Sequence, residues 1–291
     1  MHFLVIILSG AALVPIFYFI WRLRWGYPPA SIPRVLAYHK VTGFEFGGNW
    51  MPAGRFIAQV DSLLNSGFRF IDEDTFLRTL EGVRRGSGRE ILLTFDDGYR
   101  ELLRNAIPAI EKRGIPALIF LVSSFVGCEN RWELYWPGRR FRHLDWDEIV
   151  DLAGRGFSFG SHTLTHRDLV RMPLEEACDE LVCSKKELEV RLGRTVNSLS
   201  YPFGRTNAAV AEAAARAGYR AAFSLCPACP NSHVDRFALR REGVYIVDTI
   251  FNLKVKLGTG PLFWIEDLKG RAINSVAVLT PLLKGVRSQH P

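Results

Sequence analysis

The chain has 291 residues, 48% of them hydrophobic, which is enough for one large α/β domain or two smaller ones around a sizeable core. Its net charge of +7 comes from scattered lysines and arginines with no basic block interleaved with aromatics, which argues against a nucleic-acid surface and leaves a membrane surface as the acidic partner. The five cysteines (128, 178, 183, 226, 229) are odd in number and make no disulfide framework, so they favour a reducing compartment.

Residues 3–21 carry no charge and are long enough to cross a bilayer as a helix, and Arg22, Arg24 and Trp25 follow like an interfacial belt. The stretch reads as a single-pass membrane anchor over 1–26, with a cleavable signal peptide as the alternative. Both flanking arginines lie on its C-terminal side, which places the bulk of the chain at the cytoplasmic face.

A Pro-rich link, GYPPASIP, leads to an apolar strand from residue 34, RVLAYHKV. Helices are predicted near 53–66 and 73–82, the second opened by a cap-like cluster from Asp72 to Thr75. A strand at 91–95 precedes a helix at 99–113 closed by Gly114, and PALIFLV is a strand at 116–122. Asp145 caps a helix at 146–154, and GFSFGSH is a short strand. A long helix spans 173–193, followed by VNSLSYPFG, an Ala-rich helix at 206–217 and the strand YRAAFSL. About seven alternations predict a parallel α/β sheet, open or closed into a barrel, over a domain at 27–250. Residues 251–291 break the pattern: six Lys/Arg stand against two acids among apolar clusters. This tail is either a basic amphipathic segment lying on the membrane or an element closing the barrel.

Asp96 and Asp97 stand together where the strand at 91–95 ends. Adjacent carboxylates repel unless a cation or a shared proton relieves them, although Asp-Asp-Gly is also a common polar turn. His162 and His166 follow another predicted strand, four apart, a spacing that on one helical turn projects both from one face. Asp97, His162 and His166 make a two-histidine, one-carboxylate set with positions open for water and substrate. Zn²⁺ is the default ion for such a set, with Co²⁺, Ni²⁺ or Mn²⁺ as alternatives. Asp96 is then left to take a proton from the attacking water. The spacing in Cys226-Pro-Ala-Cys229 fits a redox pair, but no second pair accompanies it, and its role is structural or incidental. Trp132, Trp136 and Trp146, set among Arg131, Arg139, Arg140 and Arg142, could face sugar rings and phosphates or simply form a solvated loop with tryptophans in the core.

TFDDG at 94–98, SHTLTH at 161–166 and SYPFG at 200–204 resemble, in order and spacing, three motifs of the polysaccharide deacetylases, the NodB-homology or carbohydrate esterase family 4 enzymes. The resemblance covers roughly 34–245. It implies a distorted (β/α)7-type barrel and metal-dependent removal of an acyl group from a sugar. It also implies Asp96 as general base, Asp97, His162 and His166 as ligands, Tyr201 as the residue whose backbone N–H holds an oxyanion, and Pro202 and Phe203 as groove wall. The C-terminal leucine-x-histidine motif of most members is absent; only His233 and His290 lie downstream of the third motif. His39 at the end of the first strand is instead similar to the histidine that comes first in the circularly permuted poly-N-acetylglucosamine deacetylase subgroup, which implies a general acid. The arginine that many members carry in the third motif is also missing, with Ser198 and Ser200 nearby.

Taken together, these features predict a membrane-anchored, metal-dependent deacetylase of an amino-sugar glycan, lipid-linked or free, with no nucleic-acid partner. Its rivals are a deformylase or other non-peptide C–N hydrolase on the same fold, and a non-catalytic glycan-binding protein.

Overall fold

The computed structural model describes residues 31–45, 48–132, 140–225, 235–258 and parts of 262–273. Its frame is a parallel sheet wrapped almost into a barrel. In chain order the strands are β1 (Arg34–Tyr38), β2 (Lys40–Val41), β3 (Trp50–Met51), β4 (Arg69–Ile71), β5 (Glu90–Phe95), β6 (Leu118–Leu121), β7 (Ser158–Ser161), β8 (Ser198–Ser200), β9 (Ala221–Ser224), β10 (Leu239–Arg240) and β11 (Glu242–Gly243). The main sheet runs β10-β9-β8-β7-β6-β5-β1-β11, with β4 beside the first half of β5, while β2 and β3 form a separate pair.

Only Arg241 separates β10 from β11, yet the first pairs with β9 and the second with β1. One short stretch of chain thus joins the two ends of the sheet. Arg241 N–H bonds Ser224 O on one side, and Val244 N–H bonds Ala37 O on the other.

Along the strands, alternate residues divide between two cores, as a period of two requires. Val35, Leu92, Leu118, Phe120, Ala221, Phe223 and Leu239 meet inside the barrel. Leu36, Tyr38, Leu93, Phe95, Ile119, Phe159 and Leu199 face outward under the helices. Gly160 is confined to glycine by this packing, since a Cβ there would sit 2.6 Å from the Phe120 ring.

The helices are α1 (Ala53–Asn65), α2 (Glu73–Leu80), α3 (Leu102–Asn105), α4 (Ile107–Glu111), α5 (Trp146–Gly154), α6 (Leu174–Leu192), α7 (Ala208–Arg216) and α8 (Ile250–Leu257). Asp72 caps α2 through Thr75 N–H at 2.7 Å, and Asp145 with Glu148 forms a capping box on α5. The single helix expected over 99–113 is broken into α3 and α4. Pro108 cannot donate to the preceding turn, so the ladder restarts around Ala106.

The part of the expected tail that is described packs Leu253 and Leu257 of α8 into the outer core. Lys256, also buried, bonds Gly243 O at 2.7 Å and Asp248 Oδ2 at 2.5 Å. The expected anchor over 1–26 lies outside the described residues. Among the described residues no helix is long and apolar enough to cross a membrane. The single-pass membrane placement, together with its cytoplasmic side, is corrected accordingly: no described helix supports it.

Phe76 and Leu77 of α2 join the inner core and close the floor of the barrel, opposite the strand C-termini. Glu73 in the same turn accepts a hydrogen bond from Ser198 Oγ at 2.5 Å. Burial pushes its carboxyl up to about 7, against the pull of Ser198, Arg220 and Arg194. The unfolded chain ionises this group near pH 4.5, so stability falls as pH rises from about 4.5 to about 7, by at most about 3 kcal/mol. Glu73→Gln is expected to flatten that slope, raising the melting temperature at pH 8 and leaving it nearly unchanged at pH 4.5. Parallel melting curves at the two pH values check it.

Candidate active site

The inward parity of the strands continues past their C-terminal ends and gathers polar side chains at one mouth. Leu92 and Thr94 lead to Asp96, Val35 and Ala37 to His39, Gly160 to His162, Ser198 to Ser200, and Leu239 to Arg241. Asp97, out of step with this series, turns back toward the mouth because its φ is +67°. Gly98 completes the turn at φ +61°, where an added Cβ would lie 2.5 Å from Leu121 Cδ2.

Asp97, His162 and His166 are buried, and one donor atom from each lies within 4.8 Å of the others. Asp97 Oδ1 faces Nε2 of His162 at 3.6 Å and Nε2 of His166 at 3.5 Å. These separations are too long for hydrogen bonds and match the mutual spacing of donors that each sit about 2.0–2.2 Å from one shared ion. Ser200 O lies 2.6 Å from His162 Nδ1; a carbonyl can only accept, so Nδ1 carries the proton and Nε2 keeps its lone pair toward Asp97. Burial pushes the His162 imidazolium pKa down to about 4 and that of His166 well below the ordinary histidine value, so both rings are neutral donors. The donor set therefore fits a divalent cation.

The four-residue spacing of the histidines does bring them together, but not on a helix. His162 follows β7 directly, whereas His166 sits in a loop at φ +60° after Thr163 at φ +68°. Asp97, Thr163, His166 and Phe203 (φ +57°) are the non-glycine left-handed residues among the described part of the chain, and all lie in the three motifs. Such strain persists only where the surroundings over-determine it.

Asp96 is fully buried and held by a group that the sequence reading missed. Arg241 meets it as a two-pronged fork, Nη1 to Oδ1 at 2.6 Å and Nη2 to Oδ2 at 2.7 Å. Arg241 also reaches Ser200 Oγ at 2.8 Å and Thr94 Oγ1 at 3.3 Å, and lies over the Phe120 ring. Burial pushes the Asp96 carboxyl up, but Arg241 and His162 outweigh it and hold the carboxyl well below the usual range. His39 Nε2 stands 3.8 Å from Asp96 Oδ2. The guanidinium absent from the third motif thus arrives from the strand that closes the barrel, and the third motif contributes Ser200.

The oxyanion contact expected of Tyr201 is corrected. Its N–H is bonded to Phe223 O at 3.0 Å, continuing the sheet, and its buried phenol donates to Phe237 O at 2.8 Å. Pro202 is buried, while the half-buried Phe203 sets its ring edge against His166 at 5.0 Å. Trp132 stacks on His166 at 4.5 Å and lies beside His143 at 5.1 Å; Nδ1–H of His143 donates to Asp97 O at 2.6 Å. Trp146 instead belongs to α5, packed on the outer core with Arg191 over its ring. Trp136, Arg139, Cys226, Cys229, His233 and His290 lie outside the described residues.

Residues 84–222 match the family described as polysaccharide deacetylase. The chain is 27% identical over 218 residues to a putative polysaccharide deacetylase, YxkH, of Bacillus subtilis, covering 74% of this chain and 72% of that one. It is 28% identical over 149 residues to the poly-beta-1,6-N-acetyl-D-glucosamine N-deacetylase of Staphylococcus aureus, a match spanning 47% of this chain and about half, 48%, of that protein. The structure of IcaB from Ammonifex degensii is similar at a TM-score of 0.64 and 26% identity, covering 74% of this chain and 92% of that one.

Proposed function

We propose that this chain, which carries a polysaccharide deacetylase domain and is a carbohydrate deacetylase, hydrolyses the N-acetyl group of an N-acetylglucosamine-type glycan with Asp96 as base and His39 as acid. Asp97, His162 and His166 are the residues that would hold one divalent ion, Zn²⁺ by the chemistry of the set. Bound there, the ion supplies Lewis-acid polarisation of the acyl carbonyl and makes the attacking water more acidic.

Asp96, ionised by its fork to Arg241, accepts the proton that the water loses as it adds to the carbonyl carbon. His39, beside Asp96 at the end of the neighbouring strand, gives a proton to the departing nitrogen as the C–N bond breaks. Acetate and a free amine leave. Phe203 and Trp132 flank His166 and keep water off that side of the cradle.

The observation that carries the assignment is the convergence of Asp97, His162 and His166 on one point, with Asp96 and His39 at the same mouth. It favours an enzyme over a glycan-binding protein because a base, an acid and three candidate ligands stand at one mouth. The β-1,6-linked polymer named for the Staphylococcus aureus relative is the first substrate to test.

The test is metal analysis of the purified chain, with acetate and formate release measured on β-1,6- and β-1,4-linked acetamido glycans and on a lipid-linked acetamido sugar. One equivalent of Zn²⁺ and acetate release are expected, and both are expected to vanish in Asp97→Ala. Acetate release that survives Asp97→Ala would remove the cradle from the reaction, and formate release in its place would make the chain a deformylase.

A further inference from the structure

The loop that carries His166 is held by a charged side chain outside all three motifs. Glu180 lies on α6, 5% exposed, and spends both carboxylate oxygens on one residue of that loop. Thr165 N–H donates to Glu180 Oε2 at 2.8 Å, and Thr165 Oγ1 donates to Glu180 Oε1. One turn further along the same face of α6, Ser184 Oγ meets Ser161 Oγ at 2.8 Å, and Ser161 Oγ accepts from Thr163 N–H at 3.1 Å. The helix therefore braces the segment on both sides of His162.

Thr165 is also the residue immediately before His166, in a loop that places both Thr163 and His166 in the left-handed region. Two such residues four positions or fewer apart relax toward ordinary backbone unless something fixes the chain between them. A carboxylate suits this task because it offers one acceptor oxygen to each of the two donors of Thr165, whereas an amide offers a single acceptor oxygen beside a donor. Elsewhere the loop is tied by Ser124 to Leu164 O, by Arg205 to Asp168 and, at its exposed edge, by Arg167 to Glu176 of α6, so Glu180 is the buried group by which α6 holds Thr165.

We propose that Glu180 is a positioning residue for the metal cradle, locking Thr165 so that His166 Nε2 faces Asp97 and His162. This rests on the cradle assignment made above. Glu180 touches neither ion nor substrate, and its influence is expected in how tightly the ion is held.

The experiment compares Zn²⁺ affinity, by competition with a chromogenic chelator, in the full chain, Glu180→Gln, Thr165→Val and the double variant. Circular dichroism and melting in excess chelator show whether each is folded. Glu180→Gln is expected to bind Zn²⁺ about 10–100-fold more weakly, the range found when a group supporting a ligand is removed. Thr165→Val, which keeps the backbone bond, is expected to lose less, and the double variant to bind no more weakly than Glu180→Gln because both changes break one contact.

A purely structural glutamate would lower the chelated melting temperature and leave the affinity alone. Wild-type affinity in folded Glu180→Gln overturns the proposal; should that variant not fold, wild-type affinity in Thr165→Val does so. If the unaltered chain binds Zn²⁺ no better than Asp97→Ala, the cradle itself fails and the role of Glu180 goes with it, an outcome visible before the other variants are compared.

Discussion

Asp96→Asn is expected to lower kcat/KM by about 10²–10⁴-fold, the usual worth of a positioned general base, while the chain keeps its metal. The substitution preserves shape and removes the one property the reaction needs there, a basic oxygen facing the attacking water. Its neighbour Asp97 is untouched, so the donors of the cradle stay within 4.8 Å of one another. Arg241 loses its ionic partner but keeps an amide oxygen to bond and its contact with Ser200 Oγ. Some stability is lost, on the order of 1–3 kcal/mol, since a buried guanidinium is then only partly matched. The decisive measurements are turnover and metal content on the same sample. A variant that holds one equivalent of metal and turns over within tenfold of the unaltered chain would end the assignment of Asp96 as base.

The site was legible in the sequence wherever function and local pattern coincide. TFDDG announces itself because a strand's apolar run ends in two acids and a glycine, and SHTLTH because two imidazoles follow another such run. Strand parity then brings these separate segments to one mouth with no long-range cue needed beyond the parallel sheet. What the sequence hid depends on contacts between distant segments or on backbone that its residue types do not advertise.

Arg241 follows Arg240 in an unremarkable LRREGV, and 145 positions separate it from Asp96. Nothing local marks it, because its position follows from a strand that pairs first with one edge of the sheet and then with the other. The odd alternation in FALRREGV, with Leu239 and Arg241 on one face, was the available signal. The helical turn assumed for His162 and His166 failed for a related reason: Thr163 and His166 adopt positive φ, which no glycine or asparagine announces. The oxyanion contact of Tyr201 failed because a strand does not stop where its motif begins, and the next N–H in line still bonds Phe223.

The consequence of that hidden closure is the second large effect. Arg241→Met is expected to cost about 3–5 kcal/mol of stability at neutral pH, because it leaves the buried Asp96 carboxylate without the cation that compensates it. It also reverses the direction in which Asp96 responds to pH. In the unaltered chain burial raises the carboxyl pKa but Arg241 and His162 more than offset it, so the folded value lies below the unfolded one. The stability from this pair is therefore present above the ordinary carboxylate range and is lost as pH falls through and below about 4.

Without Arg241, burial dominates and the folded value rises above the unfolded one. Stability then declines as pH rises past about 4, and a smaller fraction of Asp96 is ionised at neutral pH. The acid limb of kcat/KM moves to higher pH, and activity at pH 7 drops by a factor that approaches about tenfold for each unit of that movement once the limb lies above neutrality. Arg241→Lys separates charge from geometry: the ammonium restores part of the stability but cannot span both oxygens, and a partial return of the limb is expected. A pH–rate profile of Arg241→Met with its acid limb unmoved would show that the fork holds the barrel closed without governing the base.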